Sequence, residues 1–367
     1  MSPSTPPHDD DANGGDVANG GDSYGGDPDV EDLSGSPSGS AAQIGLGSRA
    51  VPLRRLIREL TDLKRIRSHR HSGAMSGYRF EIVISQLADM ASVAPCFDEV
   101  ADRIGDLALE HLTLGIIATR TGAMDPDSLK DLNCSEAILH DTFAAAINEH
   151  APALGDLLPD VTRALNRVID RRSNKLDVDP EVQRWIDALR DEPRAGATAA
   201  GKSRTLVMPT ESQADHCYLV ALLATLLSPL MTDDAGVAAK PGEVFLTGLF
   251  HHAHNAVLPD GGFSAEVLLG GSLGEVIELA RQSAASTLPH AFGRAIRTAA
   301  DRMSHLRTAE SRTCNAADAI DRVLQAHYHE QVAKFDAVEV SRRLELVHEG
   351  PLQSFQNDML RAVGIES

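Results

Sequence analysis

The run CYLVALLATLLSPLM, residues 217–231, constrains the fold more than any other stretch. Its 15 residues are apolar but for Thr225 and Ser228, too few to span a bilayer, and read as a buried helix. Helical spacing of apolar residues recurs along the chain. In VPLRRLIRELTDLKRIRSHRH, Leu53, Leu56, Ile57, Leu60, Leu63 and Ile66 share one face, and the opposite face is strongly basic. That basic face suits an acidic segment, a partner or an anionic ligand, or is simply solvated. Helical patterns then fill Tyr78 to about Asp191. A second set covers 211–230, 242–257, 264–283, 289–306, 315–335, 337–347 and 352–362. No stretch alternates convincingly between apolar and polar residues. The expected class is all-α, a fit for a chain with 42% apolar but 4% aromatic residues.

Residues 1–48 are rich in Asp, Gly, Ser and Pro and predict a disordered acidic tail, because they hold too little apolar surface to offset ordering entropy. The other expected boundaries are a helical region over 49–191, a linker over 192–210 and a helical domain over 211–367. The net charge is −19; the first 45 residues carry nine acids and no Lys or Arg, so −10 remains on the rest. That sign disfavours a nucleic-acid partner. The four cysteines, 96, 134, 217 and 314, form no C-x-x-C pair, which argues against a zinc knuckle or disulfide framework. Without a leader pattern or a membrane-length run, a soluble cytoplasmic protein with no membrane partner is expected.

GATAAGKS, Gly196 to Ser203, fits G-x-x-x-x-G-K-[ST] letter for letter. A phosphate-cradling loop of this kind joins a buried strand to a helix start. Here the preceding segment is charged and helical and Pro209 follows closely, so the match reads as chance.

Potential ligands gather later in the chain. His216 lies in the first turns of the apolar helix. GLFHHAHNAVLPDGGF brings His251, His252 and His254, then Asn255 and Asp260. CNAADAIDRVLQAHYHE offers Asp318 and Asp321. Imidazoles and a carboxylate from three separate helices are what a divalent ion needs. On a continuous helix Gly248, His251 and Asn255 would share a face, and Gly248 would leave room for a ligand beside His251. Ordinary readings stand alongside: a buried hydrogen-bonded His216, helix-end histidines favoured by the dipole, and an Asp318–Arg322 i, i+4 pair. A competing trio is His111, His140-Asp141 and Asp170. His327 and His329 read as outer-face residues.

The order of His216, His251-His252 and the Ala-Asp pair at 318 resembles the HD-domain metal-dependent phosphohydrolases, most nearly the bacterial 5′-deoxynucleotidase-like branch. The second motif there is H-D-x-x-E-x-x-x-G-D; here it reads His251-His252-x-x-Asn255-x-x-x-Pro259-Asp260. The resemblance spans about 211–335 and has no counterpart for 50–190. It implies His216, His251, His252 and Asp318 as metal ligands, with His254, Asn255 and Asp260 as the catalytic or substrate-positioning set. The implied chemistry is hydrolysis of a small phosphorylated molecule, a nucleotide in the nearest branch, by metal-activated water with a nearby Arg stabilising charge. His252 stands for an Asp and Asn255 for a Glu. A site of three nitrogens and one oxygen favours zinc, iron, cobalt or nickel over magnesium, with manganese also admitted. His254 or Asp260 would handle the leaving-group proton, and His290 and His305 are candidates for a second metal. The alternative implied by the two departures is a degenerate metal- or ligand-binding regulatory protein. Analogy also suggests a homodimer through helix faces.

Overall fold

The computed structural model describes residues 46–68, 73–171, 178–194, 210–333 and 346–365, together with 338, 341 and 342. Most of the acidic tail and all of GATAAGKS lie outside the described residues. The described residues contain no strand and are overwhelmingly helical.

The first eight helices are α1 (Ala50–Thr61), α2 (Met75–Val93), α3 (Ala101–Thr121), α4 (Pro126–Asp131), α5 (Glu136–Asn148), α6 (Ala151–Leu154), α7 (Leu158–Asp170) and α8 (Pro180–Asp191). Then come α9 (Gln213–Leu227), α10 (Pro241–Phe250), α11 (Gly262–Leu269), α12 (Leu273–Thr287), α13 (His290–Met303), α14 (Ala309–Ala333) and α15 (Gln353–Ala362). Most of the apolar run falls in α9, and every residue of that helix is buried. Ser212 starts it with a capping box: its side chain accepts from the Asp215 backbone N–H, and the Asp215 carboxylate accepts from the Ser212 N–H. Helices α2, α3, α8, α10 and α14 pack around α9, so the two sets of helices share its burial. Among the described residues no single helix is long and apolar enough to cross a membrane.

Two helix ends depart from the spacing argument. The helix expected over 242–257 stops at Phe250; His251 caps it and a 3-10 turn follows over Ala253–Ala256. The helix expected over 264–283 is split into α11 and α12 at Gly270, whose φ of 51° breaks the hydrogen-bond ladder.

Glycine 248 does not make room for a ligand. A Cβ there would sit 2.5 Å from Ala221 Cα, so the position lets α10 lie directly on α9. On the other side of the histidine turn, the single Trp of the chain acts as a pin. Trp185 of α8 stacks on Phe250 at 5.7 Å between ring centroids and donates Nε1–H to Ala253 O at 3.3 Å. Gly248 and Trp185 together fix where His251 and His252 emerge.

Candidate metal centre

His216 sits in the first turn and a half of α9, and its ring lies between two carboxylates of α14. Asp321 Oδ2 is 2.7 Å from Nδ1, and Asp318 Oδ1 is 3.3 Å from Nε2. Helix geometry explains the bracket: residues three apart lie on one face of a helix. Asp321 is fully buried and accepts from Lys64 as well, so its carboxylate is an acceptor and the imidazole proton resides on Nδ1. The His216 Nε2 lone pair therefore faces Asp318 and His251.

The other two imidazoles are anchored the same way. His251 Nδ1–H donates to Gly248 O at 2.8 Å. His252 Nδ1–H donates to Asn255 Oδ1 at 3.1 Å, and the Asn255 amide orientation is fixed because its Nδ2 donates to Leu258 O. In all three rings the Nδ1 proton is committed to a neighbour, which leaves three Nε2 lone pairs. His216 Nε2 and His251 Nε2 lie 3.1 Å apart, and neither has a proton to share. Neutral lone pairs held this close repel. Two donors sharing one first-row divalent ion in a tetrahedron are about 3.3 Å apart.

Asp318 supplies the fourth donor. Its Oδ2 accepts from Arg322 Nη2 at 3.1 Å, while Oδ1 is buried with no hydrogen-bond partner. The i, i+4 pair read from the sequence is real, and it orients Oδ1 toward His216. One ligand atom each from His216, His251, His252 and Asp318 lies within 4.8 Å of the others. A buried orphan carboxylate oxygen among three imidazole lone pairs fits a divalent cation, which these four side chains can hold.

For His251 and His252 the electrostatics agree with neutral, ligand-ready imidazoles. Burial first, then the neighbouring His216, pushes His251 down to about 3. Burial and His251 hold His252 well below its ordinary value. Burial alone would push the Asp318 carboxyl up, but the Arg322 guanidinium leads the interactions that outweigh it and hold it well below the usual carboxylate range. The dipole reading of these helix-end histidines, which requires protonated rings, does not hold.

Glu211, His216 and Asp321 form a second cluster of possible ligands. The Lys64 ammonium already occupies it, 2.6 Å from Glu211 Oε2 and 2.7 Å from Asp321 Oδ2.

Residues 186–349 match the family model described as the HD domain. That places this segment in the HD-domain family. The chain carries an HD domain. No curated protein and no solved structure matches the chain. The HD domain thus begins inside α8, and its matched segment contains all four clustered donors.

The remaining expected site residues are arranged around the HD centre in different ways. His254 is buried beside His252, with 5.6 Å between ring centroids; its Nδ1 has no partner, and burial pushes it down to about 4. Asn255 lies beyond the end of α10 and acts on His252. Asp260 ties its own loop, accepting from Gln213 Nε2 at 2.8 Å and from the Gly262 N–H at 3.0 Å. His290 bonds to Pro95 O and His305 pairs with Asp301, so neither joins the cluster. The rival trio is not gathered: His111 is buried between Tyr218 Oη and Gln86 Oε1, whereas His140, Asp141 and Asp170 are exposed. His329, read as an outer-face residue, is buried at 2% exposure and accepts from Gln325.

Helical spacing gives no sign of three cations near the centre: Lys64, Arg194 and, beyond its ion pair, Arg322. Arg194 Nε pairs with Glu211 Oε1 at 3.1 Å, its Nη1 is buried without a partner, and its charge bears on His251 and His252. Arg322 Nε is likewise buried without a partner. Arg194 stands in what reads as linker, where nothing in the local sequence marks it. A Pro193–Ser212 bridge closes the ends of that stretch and holds Arg194 against α9.

Proposed function

We propose that this protein is a metal-dependent phosphohydrolase that acts on a small phosphorylated molecule, with a nucleotide as the first class to test. The carrying observation is the buried, unpartnered Oδ1 of Asp318 facing the His216 Nε2 lone pair, in an HD domain. His216, His251, His252 and Asp318 would hold the ion; three nitrogens and one oxygen suit zinc, iron, cobalt, nickel or manganese better than magnesium. The ion supplies Lewis acidity at the phosphoester and lowers the pKa of water.

The chain's own residues account for the rest of the reading. Arg194 Nη1 and Arg322 Nε are buried donors that need acceptors, and phosphate oxygens are the strongest match for guanidinium. His254 is neutral at pH 7, so it offers an N–H to a leaving oxygen as a hydrogen bond rather than as imidazolium. Asp260 ties its own loop to the first turn of α9 through Gln213. Asn255 orients His252 and is not a base.

The test is metal analysis of the purified full chain combined with hydrolysis of p-nitrophenyl phosphate and a panel of nucleoside monophosphates. Stoichiometric metal and turnover, both lost in His216→Ala and His251→Ala, support the reading. Metal without turnover on any phosphoester overturns the hydrolase and selects a ligand-binding regulator instead. Absence of metal overturns both.

A further inference from the structure

Lys64 lies far outside the HD segment, in the 3-10 extension Asp62–Lys64 that follows α1, yet its side chain is only 3% exposed. Its ammonium reaches Asp321 Oδ2 at 2.7 Å, the same oxygen that accepts His216 Nδ1–H. Glu211 Oε2 holds it from the other side at 2.6 Å, and Glu211 Oε1 in turn pairs with Arg194. Two cations, the half-buried Arg194 and the buried Lys64, therefore alternate with the Glu211 and Asp321 carboxylates along one line that ends on the first imidazole of the metal centre.

We propose that Lys64 is a positioning residue of the metal centre, acting through Asp321 to hold His216 with Nδ1 protonated and Nε2 turned to the metal. The role follows from acceptor chemistry. A carboxylate facing an ammonium at 2.7 Å can only accept from the imidazole on its other side, which forces the His216 proton onto Nδ1. Without the ammonium, Asp321 is a buried carboxylate with one imidazole for company, and such a group relaxes by moving or by taking a proton. Either change releases the ring. The charge balance supports the arrangement: burial alone would push the Lys64 ammonium down, but Asp321 and Glu211 outweigh it and raise it. The helices ahead of the HD domain thereby contribute to the centre itself, a role their own sequence does not disclose.

This inference rests on metal binding at His216, so the experiment separates the two. Zinc affinity of the full chain is measured by chelator competition for wild type, Lys64→Met, Asp321→Asn and the double variant, with Arg65→Met as a control for general loss of stability at that helix end. Lys64→Met is expected to weaken zinc about tenfold and Asp321→Asn by about 10- to 100-fold. The double variant should bind no more weakly than Asp321→Asn alone, because Lys64 acts only through that carboxylate. Cobalt-loaded Lys64→Met should also show an altered d–d spectrum, which lost stability alone would not produce. Lys64→Met that binds zinc as tightly as wild type, or losses that add in the double variant, overturn the inference while leaving the metal reading intact. Wild type that takes up no metal overturns both. Should Lys64→Met fail to fold, Lys64→Gln replaces it, and long-range 1H–15N correlation of histidine-labelled, zinc-loaded wild type reads the His216 tautomer directly. A proton on Nε2 refutes the mechanism.

Discussion

Asp318 presents Oδ1 to His216 Nε2 at 3.3 Å, and no donor satisfies that oxygen. Arg322 takes the other oxygen, so the carboxylate cannot turn away without losing its ion pair. Facing nitrogen donors and an orphan carboxylate oxygen form a set whose mutual repulsion a bound cation would relieve. A ligand that binds only the folded state at a hundred times its Kd stabilises by about 2.7 kcal/mol. For a folded unit of nearly 300 residues that corresponds to a Tm rise of about 4–5 °C. Differential scanning calorimetry with EDTA and then with added zinc or manganese should show that shift, and His216→Ala should abolish it. A Tm indifferent to metal counts against the centre.

His252 offers a sharper handle on metal identity. Its imidazole replaces a carboxylate in the pattern this chain resembles, and Asn255 anchors it at 3.1 Å. Changing His252→Asp exchanges a neutral nitrogen for an anionic oxygen donor, which moves the donor set toward harder cations. Metal competition should show the preference shift from zinc toward manganese or magnesium by at least tenfold. An unchanged preference would place His252 outside the coordinating set.

The sequence and the structure agree most where periodicity is strong and diverge where a contact is made at long range. The α1 stripe Leu53, Leu56, Ile57 and Leu60 is buried as its spacing requires, and the Asp318–Arg322 pair forms at i, i+4. Asp318 and Asp321 were both visible, but their division of labour, one on each nitrogen of His216, needs the fold. Asn255 illustrates the limit of helical arithmetic. Continuing α10 through residue 257 puts Asn255 on the His251 face, whereas the helix ends at Phe250 because His251, His252 and Trp185 set up a tight turn. Lys64 belongs to the basic face whose role the sequence leaves open; its neighbour Arg65 lies over the Tyr328 ring at 3.3 Å, while Lys64 turns inward to two carboxylates. No local pattern distinguishes the two, since what draws Lys64 in is a pair of carboxylates about 150 and 260 residues downstream.

Gly248→Ala tests the register of α10 on α9. The added Cβ would fall 2.5 Å from Ala221 Cα and from Ala221 N, both backbone atoms that cannot rotate aside. Relief requires the helices to separate, and overpacking of this kind costs about 1–3 kcal/mol. Because Gly248 O also holds His251 Nδ1–H, the same movement displaces a proposed ligand. Chemical denaturation should show the lost stability, and zinc affinity should fall with it. Wild-type values for both would mean that the close approach is not needed.

The buried imidazoles set the sign of the acid response. Burial is the first cause that lowers His111, His150, His251, His252, His254 and His348, and for His251 and His254 the folded values are about 3 and 4. In the unfolded chain each returns to about 6.5. Between these limits the unfolded state binds more protons than the folded one, so stability rises with pH and is lost as pH falls below about 6.5. Asp318, held below the carboxylate range, adds to the loss only at still lower pH. Denaturant unfolding of the metal-free protein between pH 7.5 and 5.5 should therefore show steadily declining stability with net proton uptake. His111 is the clean probe, since its partners are Tyr218 and Gln86 and not the metal centre. His111→Gln should reduce proton uptake on unfolding by about one at pH 5.5, with zinc affinity unchanged. Stability that instead increases toward pH 5.5 would show that these rings are not held neutral in the fold.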